Sequence, residues 1–379
     1  MNNVERSESQ ADGSLDVSKE KYYMASQWQL MWWRFLKHRL AIVGTAVLAV
    51  LYLIVIFAPF LSPYATNTRF AAYQYAPPQR IRFYDPNDGF SLRPFVYGLK
   101  GTRDMETFRQ IFEEDKSEKH YINFFVRGTE YKLLGLFSAD IHLFGAEDHP
   151  IFLFGSDRSG RDLFTRVLYG AQISLTIGLV GVFLSFILGT ILGSISGFYG
   201  GVLDTIIQRI IDMLISIPTI PLWMALSAAL PRDWPITQMY FAIVVVLSLV
   251  GWTGLARVVR GKFLSLREEG FVMAAQYAGA SDFWIITKHL LPSFLSYIVV
   301  SITLSIPQMI LGETALSFLG LGLQAPAVSW GVLLQDAQNI RTVAHHPWLL
   351  IPALWIIVTV LMFNFLGDGL RDAADPYST

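Results

Sequence analysis

At 379 residues, 53% of them hydrophobic and only 16% charged, with a mean hydropathy of +0.42, the chain is too apolar for a soluble protein, where charged residues run near a quarter. A net charge of −1 and a pI near 6.7 give no basic footprint for nucleic acid. The absence of cysteine excludes disulfides, thiolate metal sites and cysteine nucleophiles, so any portion outside a membrane must hold together by packing.

The chain opens with a polar stretch, Met1 to Ala25, which reads as a flexible tail; its first apolar run is of full spanning length, so no cleavable signal peptide is expected. From Trp28 to His38 the sequence WQLMWWRFLKH mixes aromatic and basic residues, the pattern of a helix at headgroup level, although a simple anchor flank would look similar. Residues 1–39 are therefore read as tail plus interfacial helix, and residues 40–61 as the first span.

Residues 62–153 change to a globular composition. Arg80 to Phe95 carries alternating apolar residues around the turn sequence DPNDG, a hairpin signal, and Tyr121 to Phe137 offers a second hairpin around Arg127-Gly128-Thr129-Glu130. Thr107 to Lys119 has helical periodicity, which makes this segment a small α+β insert. It is either an ornament of the fold or a seat for a substrate-delivery protein.

Gly155-Ser156-Asp157-Arg158-Ser159-Gly160-Arg161-Asp162 follows. Its glycines permit a tight corner, and Asp157, Arg161 and Asp162 can form a local charge network and cap the next helix. Residues 154–379 then hold five further apolar segments: Ser174–Phe198, Ile206–Leu230, Tyr240–Ala256, Phe294–Leu316 and Trp348–Leu366. Arg209 and Asp212, one helical turn apart, can pair with each other. Pro218 and Pro221 would bend a helix, and Gly251 and Gly254 would bring helices close.

Residues 257–292 form a charged island between the fourth and fifth apolar segments. Phe271 to Ala278 can make two helical turns whose face of Ala274, Ala275 and Ala278 has almost no bulk; Gly279 can close the helix at positive φ, and Ser281 or Asp282 can cap the next one. This is the shape of a protruding docking element, and equally of a tight helix–helix corner. Basic residues here and before the first span place this loop and both termini on the cytoplasmic side. Glu313 lies near the end of an apolar span, where an acid is costly unless paired; hydrogen bonding to neighbouring backbone is favoured over proton transfer.

The chain has no HExxH zinc helix, no GxSxG elbow and no GxxxxGK[ST] phosphate loop, and His345-His346-Pro347 reads as a loop turn rather than a metal site. Six unequal segments with one large insert show no repeat of the kind secondary transporters use. A membrane scaffold or receptor is the remaining alternative to a transport subunit.

Met273-Ala274-Ala275, Gly279 and His289-Leu290-Leu291-Pro292 resemble the EAA loop of ATP-binding-cassette importer permeases, with Met273 where that motif usually has Glu. The block Gly155 to Asp162, the block Glu313 to Gly322 with Trp330, and the tail Phe363 to Pro376 resemble the dipeptide/oligopeptide/nickel branch of that family, "C" type subunit. The insert exceeds the loop common there. The resemblance implies an all-α polytopic membrane protein with six transmembrane helices of the type I importer kind, set in a bacterial-type inner membrane. It also implies that Met273, Ala274, Ala275, Ala278, Gly279, Leu291 and Pro292 couple the chain to an ATPase. The implied partners are a second, dissimilar permease, two ATP-binding subunits that use ATP and Mg, and an extracytoplasmic solute-binding protein; this chain itself would bind no cofactor. Peptides are the implied cargo, with oligosaccharides, opines and nickel as alternatives.

Overall fold

The computed structural model describes residues 26–86, 89–103, 105, 110–133, 135–146 and 149–375. The expected tail 1–25, part of the DPNDG turn including Asn87, residues 107–109 and Pro376 lie outside these residues.

Helix α1, Gln27–Phe35, starts in a capping box in which Ser26 N–H donates to Gln29 Oε1 at 2.9 Å and Gln29 N–H to Ser26 Oγ at 3.4 Å. It buries Met31 and Phe35 and leaves Trp28, Trp32 and Trp33 exposed. His38 Nδ1 then accepts Ala41 N–H at 3.1 Å and opens α2, Arg39–Ile56, which is followed by a single turn, α3, Ala58–Leu61.

The insert is built of strands. β1 (Arg82–Asp85), β2 (Gly89–Arg103) and β3 (Gln110–Tyr121) form one antiparallel sheet, and β4 (Asn123–Leu133) and β5 (Phe137–Gly145) form another. Three expectations are corrected here. The described part of the segment expected as a helix, Thr107 to Lys119, is strand β3, because Gln110 to Glu114 pair one-for-one with Arg103 to Leu99 and this ladder overrides a weak helical periodicity. Within the insert, the described residues contain no helix beyond the 3₁₀ turn Ala71–Tyr73, so its α+β reading gives way to a sheet-containing one. The second hairpin does not turn at Arg127-Gly128-Thr129-Glu130. There β4 carries a bulge, with the pairing stepping from Arg127↔Ile141 to Tyr131↔Ala139, and the chain reverses at Gly135, φ 72°. Gly128 is required because the His142 ring fills the space a Cβ would take, 2.6 Å away.

Among the described residues five helices are long and apolar enough to cross a membrane, and a bent pair makes up to six. α4, Leu163–Tyr199, begins at the Asp162 cap, well before the apolar stretch expected from Ser174, and runs for 37 residues. α5 (Gly201–Ser216) and α6 (Thr219–Ala228) meet at 89°. The span expected over Ile206–Leu230, with a bend at its prolines, is broken outright at Ile217 and Pro218, since Pro218 has no N–H to donate and forces Ile217 into an extended conformation, ψ 129°. α7, Ile236–Leu266, continues through Arg257 to Lys262, residues read from sequence as loop, because Val259 and Phe263 remain buried on its inner face. α8 (Gly270–Tyr277), the single turn α9 (Asp282–Ile285), α10 (Leu295–Phe318), α11 (Trp330–Leu333), α12 (Ile340–His345) and α13 (Ile351–Ala374) complete the chain.

α4 is the central strut. Every fourth residue of its second half, Gly189, Gly193 and Gly197, faces the backbone of α7: added Cβ atoms would lie 2.9 Å from Trp252 O, 2.6 Å from Ala256 O and 2.7 Å from Arg260 O. Gly251 on α7 also sits at a close approach, a Cβ there falling 2.7 Å from Ser185 Oγ, whereas Gly254 faces open space. The start of α4 meets the sheets through Phe164 and Phe144, and its end meets the cluster of Val259, Phe263, Val272 and Ile285 that supports α8. The sheets and α8 therefore sit at opposite ends of a helix about 55 Å long. α1 and the end of α13 lie at the α8 end, joined by Arg34 Nη1 donating to Asp375 O at 2.6 Å.

Candidate functional site

α8 is held to the bundle by one fully buried residue, Val272, with Ala275 half-buried against the same cluster. Phe271, Met273, Ala274, Ala278 and Gly279 are exposed, and Tyr277 is 91% exposed. Gly279 takes φ 80° with open space around its α-carbon, so it is required there for its conformation and not for room. Ser281 Oγ accepts Trp284 N–H at 3.4 Å and caps α9. A five-residue π-turn, Ile286–Leu290, then leads to half-buried Leu291 and exposed Pro292.

The small-residue face read from the sequence is therefore divided. Ala274 and Ala278 look outward, while Ala275 looks in. The aromatic residues beside it went unread: Tyr277, Phe283 and Trp284 are all exposed at this end, next to exposed Met273. Two adjacent aromatics, Phe283-Trp284, directly after a capping Ser-Asp pair were the available signal.

Ion pairs lock the surrounding helices. Arg260 grips Asp204 through Nε at 2.5 Å and Nη2 at 2.6 Å, and Ser196 Oγ donates to Asp204 Oδ1 at 2.5 Å. Asp212 pairs with Arg257 on α7 at 2.5 Å, and not with Arg209 as expected, because the α5 face carrying Asp212 is turned toward α7. Asp204 and Arg260 were missed in the sequence, being separated by 56 positions.

At the sheet end, Glu313 is completely buried. Ser174 Oγ on α4 donates to its Oε2 at 3.1 Å and Ser317 Oγ to its Oε1 at 2.8 Å, so hydroxyls rather than the expected backbone groups satisfy it. Those serines in turn accept Trp330 N–H at 3.1 Å and Leu323 N–H at 3.0 Å, and Trp330 Nε1 donates to Val167 O at 3.1 Å. Glu313 thus ties α4, α10 and the loop leading to α11 into one knot.

The corner before α4 is a second knot. Asp157 Oδ1 accepts the N–H groups of Ser159 and Arg161 at 2.8 and 3.0 Å, and its Oδ2 meets Arg161 Nε at 2.8 Å and Arg166 Nη1. Asp162 Oδ2 accepts Thr165 N–H at 2.8 Å. Burial pushes the Asp162 carboxyl up to about 7, against the lowering effect of hydrogen bonds from Thr165 and Phe164, with Asp157 adding a further upward push. Arg158 points away to Asp336 at 3.3 Å. Nearby, a cavity of about 660 Å³ between the insert and α12 is lined by Tyr75, Arg103, Gln110, Arg341 and His346, with the Tyr75 and His346 rings stacked at 4.3 Å.

Among the described residues no group of three or more His, Asp or Glu side chains could hold a metal ion. The chain's chemistry is that of packed helices, two buried polar knots and one exposed platform.

Residues 189–377 match the family model described as "Binding-protein-dependent transport system inner membrane component", and residues 26–78 match "N-terminal TM domain of oligopeptide transport permease C". The chain is 45% identical over 224 residues to the oligopeptide transport system permease protein OppC of Haemophilus influenzae, covering 59% of this chain and 70% of that protein. It is 37% identical over 223 residues to the dipeptide transport system permease protein DppC of Bacillus subtilis, covering 59% and 68%. Among solved structures, the inward-facing MetNI methionine ABC transporter aligns with a TM-score of 0.41 at 20% identity, covering 55% of this chain and 95% of that one.

Proposed function

The chain belongs to the family of binding-protein-dependent transport system inner membrane components, and on that premise we propose that it carries short peptides across the membrane by alternating access, driven by ATPase subunits that dock on α8. Peptide cargo is supported by its similarity to the oligopeptide and dipeptide permeases. A multi-pass membrane transport subunit with no catalysis of its own is what the family requires; hydrolysis of ATP with Mg, a second and dissimilar permease, and a solute-binding protein complete the proposed machine.

One observation carries the coupling role: α8 stands out at one end of the bundle on a single buried residue, Val272, with an apolar, aromatic-rich face open beside it. Aromatic side chains of this kind are the usual anchors of an interface. Because α1, the end of α13 and α8 share that end, we place both termini and residues 257–292 in the cytoplasm and residues 62–153 outside. The cavity between the insert and α12, with Arg103 and Arg341 in its walls, then becomes a seat for an acidic edge of the solute-binding protein.

The test is reconstitution with the ATPase, the second permease and the binding protein. Ala274→Trp, on the exposed face, should abolish peptide uptake and transport-stimulated ATP hydrolysis together while the amount of chain in the membrane stays the same. Unchanged uptake at unchanged abundance overturns the assignment.

A further inference from the structure

The β4–β5 hairpin ends in a sequence that a turn in water does not need: Leu133-Leu134-Gly135-Leu136-Phe137, flanked by Lys132 and Ser138. Hairpin turns are ordinarily made of Gly, Asn, Asp, Ser or Pro. Here Gly135, φ 72°, supplies the reversal and its neighbours are all aliphatic or aromatic. Leu136 is 77% exposed and Phe137 67%, so the described residues cover neither of them.

The hairpin's position says what does cover them. Near its base, Phe144 meets Phe164 in the first turn of α4, ring centroids 5.7 Å apart. Closer to the tip, Tyr131, paired with Ala139, lies within electrostatic reach of Tyr169, five positions further along α4. Contacts at α3 hold the hairpin in that track: the Phe60 and Phe125 rings are 6.3 Å apart, and His142 Nδ1 is 2.6 Å from Ser62 O. The hairpin therefore runs along α4 toward the middle of the bundle. Its tip lies about four residues, or about 13 Å, beyond Tyr131. At that depth α4 has entered the apolar stretch that starts at Ile173 and Ser174.

We propose that this tip inserts into the lipid leaflet on the insert's side of the membrane, with Leu136 and Phe137 at the acyl boundary and Tyr131 and Lys132 at headgroup level. Lipid is the occupant because the tip continues the apolar surface of the spanning helices, carries no acidic residue, and has a tyrosine and a lysine where an interfacial segment places them. The bilayer then steadies the insert alongside the polar corner at Asp157 and the contacts at α3 and Phe164. The inference rests on the membrane-spanning reading of the helices and is independent of the cargo.

Because the chain has no cysteine, Leu136→Cys and, on β3, Glu113→Cys each give one spin-label site on this chain, read in the full complex with its partners' cysteines replaced, in phosphatidylcholine/phosphatidylglycerol nanodiscs. Collision with oxygen should be several-fold higher at position 136 than at 113, and collision with a water-soluble nickel chelate several-fold lower. Nickel access equal to that at position 113 overturns the proposal by placing the tip in water. Low access to both reagents overturns it by placing the tip against another protein subunit. Labelling of Glu113→Cys in intact cells with an impermeant maleimide reports the orientation separately, so a reversed topology and a tip outside the lipid give different results.

Discussion

Arg260 and Asp204 meet at two points, 2.5 and 2.6 Å, and this pair joins the last turns of α7 to the first turn of α5 at the end where α8 stands. With Ser196 on α4 donating to the same carboxylate, three helices converge on one acid. The acid also sits in the first turn of α5, where the helix dipole favours a negative charge.

Removing one partner of this half-buried pair should cost about 1–3 kcal/mol locally. Asp204→Asn and Arg260→Lys should each reduce peptide uptake several-fold, with the double variant no worse than the poorer single one. A double-mutant cycle on uptake and on thermal stability in detergent checks this, and simple additivity would show the pair to be uncoupled.

Gly279→Val should disable coupling for a conformational reason, because a branched residue at φ 80° costs about 1–2 kcal/mol and nothing lies within 4 Å of the site to clash. Gly270 also faces open space but has no positive φ, so Gly270→Ala should transport normally. Uptake measured at matched abundance separates the two variants.

Glu313→Ala should lower stability by about 2–4 kcal/mol, since it opens a cavity and leaves the buried Ser174 and Ser317 hydroxyls without their acceptor. Glu313→Gln, which keeps the shape and one acceptor oxygen, should recover most of this. The check is the melting temperature of the purified chain in detergent. Equal losses for the two variants would mean that the knot needs the carboxylate itself.

The raised carboxyl of Asp162 gives a pH dependence of definite sign. The folded state holds the proton more tightly than the unfolded state, so this contribution to stability is full below about pH 4 and is lost as pH rises through about 7. Asp162→Asn keeps a capping oxygen for Thr165 and removes the titration. The variant's advantage in unfolding free energy, followed through its melting temperature, should therefore grow from pH 5 to pH 8, toward about 4 kcal/mol at the most. A difference that stays flat over that range would show that Asp162 does not titrate there.

Gln276→Cys on α8 should be labelled by an impermeant maleimide only after the membrane is opened, and Glu113→Cys on β3 should be labelled in intact cells. Labelling of position 276 from outside would invert the proposed topology.

The apolar segments were legible because a span needs length and little else, and the turn at Gly279 was legible because glycine is the residue that tolerates its φ. Elements that depend on partners distant in sequence were not. β3 looked helical until β2 paired with it, and Asp212 looked like a partner for Arg209 until α7 brought Arg257 beside it. The division of the alanine face at Ala275 likewise depends on Val259 and Phe263, which lie in another helix. Local geometry is written in neighbouring residues; register and pairing are settled by what the chain meets later.

The glycines at 189, 193 and 197 set a mechanical property of the protein. With side chains absent along that seam, the α4 and α7 backbones touch with no compressible layer between them, so neither helix can slide or roll without the other. Stiffness here comes from omission: a single methyl group at Gly193, 2.6 Å from a carbonyl oxygen, would wedge the pair apart and turn one rigid member into two loosely coupled ones.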